Sequence, residues 1–238
     1  MKTTRVFVAL LLTAVLCAVS LTGCDPVRSR IEHEIVKAVS ERFAPADSYK
    51  CRISGKVTDW LKGKVSRVEL TGVNVRYDDT TYSKLNISVT NVVYNPVKKR
   101  ITSCDTGSFT AMISEKEVNR MAAGRITALD TADISIRKDS LIISGKKKVL
   151  GVTIKAEAEG NVGVKRGCEL WFDTRRIDVS GMSLKLPEWT KERISRMVNP
   201  VYTLDNSANE LFLTGAACSP GAITVTGRIS PDGLMASQ

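Results

Sequence analysis

The chain has 238 residues, of which 25% are charged and 5% aromatic, and its formal net charge is +10. This length suits one domain of the all-β or α+β class. The sequence carries no G-x-S-x-G elbow, no H-E-x-x-H motif and no glycine-rich phosphate loop, and its only histidine, His33, lies near the N terminus. We therefore expect no enzymatic activity, no catalytic residue and no cofactor.

Residues 1–23 have the pattern of a lipoprotein signal peptide. Lys2 and Arg5 precede the apolar run Val6–Val19, which has the length of a secretory h-region and is short for a membrane span. The sequence Leu21–Cys24 resembles the bacterial lipobox, in which the cysteine is diacylated and becomes the new N terminus. Cys24 is thus the predicted lipidation site, although an ordinary cysteine behind an ordinary signal peptide would give the same letters.

Cleavage before Cys24 would leave 215 residues (238 minus 23) and, without two basic residues, a net charge of +8. The acyl chains would hold this chain on the outer face of the cytoplasmic membrane of a bacterium, the periplasmic side in a diderm. The basic charge there indicates anionic phospholipid headgroups or envelope polymers as partners, rather than nucleic acid. The clusters Lys98–Arg100 and Lys146–Lys148 either bind such partners or are solvated turns. The sequence identifies no protein partner.

Four further cysteines, Cys51, Cys104, Cys168 and Cys218, are disulfide candidates in an oxidising compartment. Two open predicted strands and two close them, which favours the pairs Cys51–Cys104 and Cys168–Cys218. Four free thiols are the alternative. None of the four lies in a C-x-x-C motif or near a histidine, so we expect no metal site.

An amphipathic helix is predicted over residues 26–43. Asp25 and Pro26 form an N-terminal cap, and apolar residues then recur at steps of three and four up to Phe43. We expect this helix to pack on a sheet rather than lie on the membrane. His33 stands between two glutamates, which favours a solvated position.

After Cys51 the apolar period changes to two, which predicts strands. The strand beginning at Val65 changes parity near Gly72, which predicts a bulge or bend there. A capping box at Ser114–Glu117 predicts a short helix ending at Gly124, and Pro187 opens a second short helix through Met197. The remaining predicted strands are Leu85–Val93, Phe109–Ile113, Ile134–Ile136, Leu141–Ile143, Leu150–Val164, Leu170–Val179, Leu211–Leu213 and Ile223–Val225, with a turn at Gly145–Lys148.

These elements predict an α+β fold that is mainly antiparallel β: an elongated, strongly curved sheet or β-barrel tube with an N-terminal amphipathic helix and two short helices. We expect one domain over residues 24–238. The inner apolar face is either a filled core or an elongated apolar groove. The residues predicted to line it are Val73, Val75, Leu85, Ile87, Val89, Leu150, Val152, Ile154 and Ala156.

Trp60 and Leu61 lie between two predicted strands, beside Lys62 and Lys64. An exposed pair of this kind could enter the membrane interface and place the mouth of the tube on the bilayer. A buried Trp60 that closes one end of the barrel is the alternative.

The order of these features resembles the LmeA family of bacterial envelope phospholipid-binding proteins. The resemblance rests on six segments: Trp60–Val65, Tyr82–Ile87, Ile113–Met121, Asn199–Val201, Leu211–Gly215 and Pro220–Gly227. It implies a tubular β fold with phospholipid in an apolar cavity, and it supplies no catalytic residue. The function expected is that of a membrane-anchored lipoprotein that binds or shuttles phospholipid or a related amphiphile. The alternative is a structural or assembly lipoprotein with a filled β core and a basic partner-binding surface.

Overall fold

The structure is a computed structural model, and it describes residues 24–42, 45–77, 79–95, 100–123, 130–149, 152–179, 182–183, 199–204 and 211–231. Several predicted features therefore lie outside the described residues, among them the signal peptide, Lys98 and Lys99 of the first basic cluster, the helix end at Gly124, and the short helix at Pro187–Met197. The N-terminal helix lies close to its predicted bounds, at Cys24–Arg42.

In chain order, the described elements are α1 (Cys24–Arg42), β1 (Ser48–Ser54), α2 (Val57–Trp60), β2 (Lys64–Tyr77), β3 (Thr80–Asn95), β4 (Arg100–Ser103), β5 (Gly107–Ser114), α3 (Glu115–Ala122), β6 (Thr131–Arg137), β7 (Ser140–Val149), β8 (Val152–Lys165), β9 (Glu169–Val179), β10 (Met182–Ser183), β11 (Tyr202–Thr203), β12 (Leu211–Ser219) and β13 (Ala222–Ile229). The predicted capping box is confirmed, because the Ser114 hydroxyl accepts a hydrogen bond from the Glu117 N–H at 3.3 Å.

The strands form two sheets. The seven-stranded sheet has the order β1-β2-β3-β5-β13-β12, with β4 beside β3, and the six-stranded sheet has the order β10-β9-β8-β7-β6, with β11 beside β9. The fold is mainly antiparallel β with few helices and a strongly curled sheet, so the predicted fold class is confirmed.

The chain divides into two compact units, which we describe separately. Unit 1 contains residues 1–111, 206–212 and 226–238, and unit 2 contains residues 112–205 and 213–225. The division falls within β5, β12 and β13, so the single domain expected from the sequence stays a prediction.

In unit 1, α1 covers the inner face of β1, β2 and β3. The apolar stripe Ile31, Ile35 and Val39 is buried in one cluster with the inward residues of these strands. The Glu32 carboxylate accepts a hydrogen bond from the Ile53 N–H of β1 at 2.9 Å, and His33 is exposed. The helix therefore packs on the sheet, as its apolar period predicts.

The buried face of β2 and β3 changes at two asparagines in the left-handed region, Asn74 and Asn91, each with φ of 50°. The Asn74 amide donates to the Asp47 carboxylate at 2.6 Å, and the Asn91 amide donates to Asp105 at 2.7 Å. The sequence predicted one such change near Gly72, and the structure confirms it at Asn74, two residues further along β2. Asparagine tolerates this backbone region because its short polar side chain can form a local hydrogen bond.

In unit 2, Gly145–Lys148 is part of β7 rather than the predicted turn. Lys146 pairs with Lys155, and Val149 pairs with Val152 at the end of the hairpin. Leu150, expected to start the next strand, lies outside the described residues. The predicted alternation of β8 is confirmed, since Thr153, Lys155 and Glu157 are exposed whereas Ile154, Ala156 and Ala158 are half-buried.

Candidate functional site

The six-stranded sheet of unit 2 has one apolar face built from matched rows of residues. Ala132 of β6 pairs with Gly145 of β7, which pairs with Ala156 of β8, and Ala156 in turn pairs with Val179 of β9. Directly paired residues of antiparallel strands project their side chains to the same side. The next row on this face is Ile134, Ile143, Ala158 and Ile177.

The two rows differ in how well they are covered. Ile134, Ile143 and Ile177 are buried, with exposed fractions of 3%, 6% and 6%. In the row of Ala156, by contrast, Ala132 is exposed, and Gly145, Ala156 and Val179 are half-buried. Small side chains at three of these four positions leave the apolar face open at this end of the sheet. This uncovered apolar strip, which we define as Ala132, Gly145, Ile154, Ala156 and Val179, is the candidate lipid site.

Sequence reasoning found Ile154 and Ala156 but missed Ala132, Gly145 and Val179. The missing information was the pairing register, because Gly145 was assigned to a turn. Two strands joined at Val149 and Val152 would have placed Gly145 directly opposite Ala156.

The predicted lining residues lie on two sheets rather than one. Val73, Val75, Leu85, Ile87 and Val89 lie on β2 and β3 of unit 1, whereas Val152, Ile154 and Ala156 lie on β8 of unit 2. Within unit 1, Ile87 and Val89 belong to the core cluster that α1 covers, Val75 is fully buried and Val73 is 39% exposed. The part of the predicted lining on β2 and β3 is therefore largely packed against other parts of unit 1.

Two of the cavities in the described part of the chain are lined by both polar and apolar residues of the strands. The larger, of about 580 Å³, is lined by Thr131, Ala132, Asp133, Ser144, Gly145, Lys146, Lys155, Ala156, Glu157, Arg176 and Asp178. Eight of these eleven residues alternate along the strands with the apolar rows, and the other three, Ala132, Gly145 and Ala156, belong to the uncovered apolar strip. The second, of about 290 Å³, is lined by residues of β2, β3 and β5 that include the predicted lining residue Ile87: Glu69, Leu70, Thr71, Asn86, Ile87, Ser88, Ser108, Phe109 and Thr110.

The predicted membrane-contact group is only partly exposed. Trp60 is buried, with 6% of its surface exposed, and it belongs to the core of unit 1. Of the two alternatives that the sequence left open for Trp60, the structure therefore shows the buried one, because the single turn of α2 directs this side chain inward. Leu61 is 53% exposed, and Lys62 and Lys64 are also exposed, so three of the four residues remain accessible.

All four cysteines are free thiols in the structure. Burial is the main cause that raises the pKa of Cys51 to about 12 and that of Cys104 to about 11. The preferred Cys168–Cys218 pair is not formed. The Leu213 N–H of β12 donates to the carbonyl of Gly167, beside Cys168, and Cys218 lies five residues further along this strand. At 3.3 Å per residue, these five residues separate Cys218 from the position beside Cys168 by roughly 16 Å. A disulfide needs Cα atoms within about 7 Å.

Cys24, the predicted lipidation site, is the first residue of α1. In the described ranges, no helix is long and apolar enough to cross a membrane. The same ranges contain no group of three histidine, cysteine, aspartate or glutamate side chains that could hold a metal ion.

Comparison with known proteins gives one result. The chain has no match among curated proteins or solved structures. A family model described as LmeA-like phospholipid-binding, however, matches residues 23–228, which is most of the chain. The chain therefore belongs to the LmeA-like phospholipid-binding family.

Proposed function

We propose that the protein is a lipoprotein of the bacterial cell envelope that is held on the membrane by acyl chains on Cys24. It binds phospholipid, and it shuttles this lipid or presents it to a partner. The acyl chains of the bound lipid lie on the uncovered apolar strip of unit 2. Membership of the LmeA-like family supports the binding of phospholipid. The lipobox-like sequence at Leu21–Cys24 supports the acyl anchor on Cys24.

One observation carries the location of the lipid. The uncovered apolar strip continues the buried face of the six-stranded sheet, but three of its five residues are alanine or glycine, Ala132 is exposed and the other four are half-buried. Apolar area left in contact with water is unfavourable by roughly 25 cal/mol per Å², so an acyl chain placed there gains the free energy of burial. In unit 1, Ile87 and Val89 are buried in one cluster with the apolar stripe of α1, so an acyl chain there would gain less.

The basic charge of the chain supports an anionic membrane surface as its place of action. Leu61, Lys62 and Lys64 project into solvent together, an arrangement in which an apolar side chain enters the interface while lysines contact headgroups. On this proposal Leu61 alone, rather than the pair Trp60 and Leu61, enters the interface.

A structural role is the second candidate, and the filled core of unit 1 favours it. There, Ile31, Ile35 and Val39 occupy the face that the sequence assigned in part to lipid. On this alternative, the protein carries no lipid and its basic surface binds an envelope partner.

Solvent extraction of the purified Cys24→Ser chain, followed by mass spectrometry, separates the two candidates. We expect phospholipid in about equimolar amount, and the variant removes the protein's own acyl chains from the extract. An extract without phospholipid from a folded protein would support the structural role.

A further inference from the structure

The polar face of the six-stranded sheet carries a basic row beside an acidic row. Lys146 of β7 pairs directly with Lys155 of β8, in line with Thr131 of β6. Two residues further along the strands, the next row consists of Asp133, Ser144, Glu157 and Asp178. Both rows form the floor of the cavity of about 580 Å³.

The two lysines carry like charges in directly opposed positions. Directly opposed side chains have Cβ atoms about 5 Å apart, and like charges in this position are destabilising. Within the described residues, neither lysine forms an ion pair, although Arg176 at the same cavity pairs with Asp178 at 2.7 Å. The basic row therefore presents positive charge to the cavity that the sheet leaves unpaired.

In the acidic row, carboxylates outnumber the cations that could pair with them. Arg176 is its cation, and the neighbouring carboxylates of Asp178, Glu159 and Glu157 all raise the pKa of this guanidinium. Asp133 and Glu157 form no ion pair with any described residue and are exposed to the cavity. One arginine faces three carboxylates in the lining, so this half of the cavity is negative.

We propose that this cavity binds a group that carries both a phosphate and a primary ammonium, with the phosphate on Lys146 and Lys155 and the ammonium on Asp133 and Glu157. The rows lie two residues apart, or roughly 6.6 Å. A phosphate and an amine joined by a two-carbon linker span a comparable distance. The inference does not depend on the proposed acyl-chain site, because the four charged residues that carry it alternate along the strands with the residues of the uncovered apolar strip.

O-Phosphoethanolamine is the direct probe, and inorganic phosphate and ethanolamine are its two separate halves. Backbone amide shifts of the Cys24→Ser chain report where each compound binds. We expect phosphoethanolamine to shift amides of β7 and β8 near Lys146 and Lys155, with a Kd about tenfold lower than that of either half. Equal affinity for inorganic phosphate, or no shift in these strands, would overturn the proposal.

Two double variants assign the charges. Lys146→Gln/Lys155→Gln should weaken phosphoethanolamine binding by about tenfold, whereas Lys116→Gln/Lys138→Gln removes the same charge from exposed sites elsewhere and should leave the affinity unchanged. Asp133→Asn/Glu157→Gln should lower the affinity for phosphoethanolamine to that for inorganic phosphate, because the ammonium group loses its carboxylate partners. An equal loss in the control variant would show general charge attraction and contradict the assigned site.

The same chemistry occurs in a lipid headgroup and in a soluble metabolite. Flotation with phosphatidylethanolamine vesicles, compared with phosphatidylglycerol vesicles, separates these sources. Ethanolamine-dependent flotation that is lost in Lys146→Gln/Lys155→Gln identifies a headgroup. Binding of the soluble probe without such flotation identifies a soluble ligand.

Discussion

The side-chain amide of Asn119 in α3 pairs with both backbone groups of Ile134 in β6. Its Nδ2 donates to the Ile134 carbonyl at 2.7 Å, and its Oδ1 accepts from the Ile134 N–H at 2.7 Å. β6 is an edge strand of its sheet, so the asparagine takes the place of a neighbouring strand. Asn199 makes the same pair of bonds with Phe172 of β9, at 2.7 and 2.9 Å.

Replacing Asn119 should therefore destabilise unit 2. In Asn119→Ala, two half-buried backbone groups lose their partners, and we expect a loss of about 1–3 kcal/mol in the free energy of unfolding. Urea unfolding measures this loss. Lys116→Ala on the exposed side of α3 is the control and should change the stability by less than about 0.5 kcal/mol. Equal effects in the two variants would show that Asn119 does not close the strand edge.

The left-handed backbone of Asn74 gives a prediction about the order of two variants. Glycine and alanine both remove the hydrogen bond to Asp47, but only alanine is strained at φ of 50°. We expect Asn74→Gly to be more stable than Asn74→Ala by about 1 kcal/mol. At Asn86, an ordinary position of β3, the order should reverse. If the glycine variant were the more stable one at both Asn74 and Asn86, the left-handed backbone conformation assigned to Asn74 would be contradicted.

The Cys51 thiol should make stability depend on alkaline pH. Burial, with a smaller contribution from Glu32, raises its pKa from 9.0 to about 12. Because the unfolded chain loses this proton first, the stabilising contribution is complete below about pH 9 and decreases as the pH rises towards 12. Above about pH 9, the free energy of unfolding should therefore fall more steeply in the wild type than in Cys51→Ala. Tyr49, whose pKa burial also raises to about 12, is present in both chains. Parallel curves would refute the assignment.

The proposed anchor predicts the behaviour of Cys24→Ser. The variant lacks a thiol to acylate, so we expect release from membranes into the soluble fraction after a high-salt wash. Continued sedimentation of the variant with membranes would show that another part of the chain holds it there.

Sequence reasoning succeeded where a local period specifies the structure. The stripe Ile31, Ile35 and Val39 predicted the helix and its buried face. The alternation around Ile154 predicted β8 with one exposed polar face and one apolar face. In both cases the side chains of one segment carry the whole signal.

It failed where the outcome depends on distant parts of the chain. Three consecutive lysines are typical of a turn, but pairing with β8 holds Lys146–Lys148 in a strand and sends alternate lysines to opposite faces. Trp60 lies in a helix of four residues, which is too short for a period to show which way the side chain points. The row of Ala132, Gly145 and Val179 depends on register between four strands, which no single segment encodes.

Ala156→Trp tests the central claim, that lipid lies on the uncovered apolar strip. An indole at this half-buried position should occupy the space of an acyl chain and leave the fold nearly unchanged, because the strip is open. In a filled core, the same substitution would cost about 1–3 kcal/mol. Thr153→Trp, on the exposed face of the same strand, is the matched control.

The decisive measurement is the amount of phospholipid that co-purifies with each variant, taken together with its melting temperature. We predict that Ala156→Trp melts close to the wild type but carries several-fold less phospholipid, whereas Thr153→Trp retains the wild-type amount. A destabilised Ala156→Trp chain, together with a wild type that carries no phospholipid, would contradict the account.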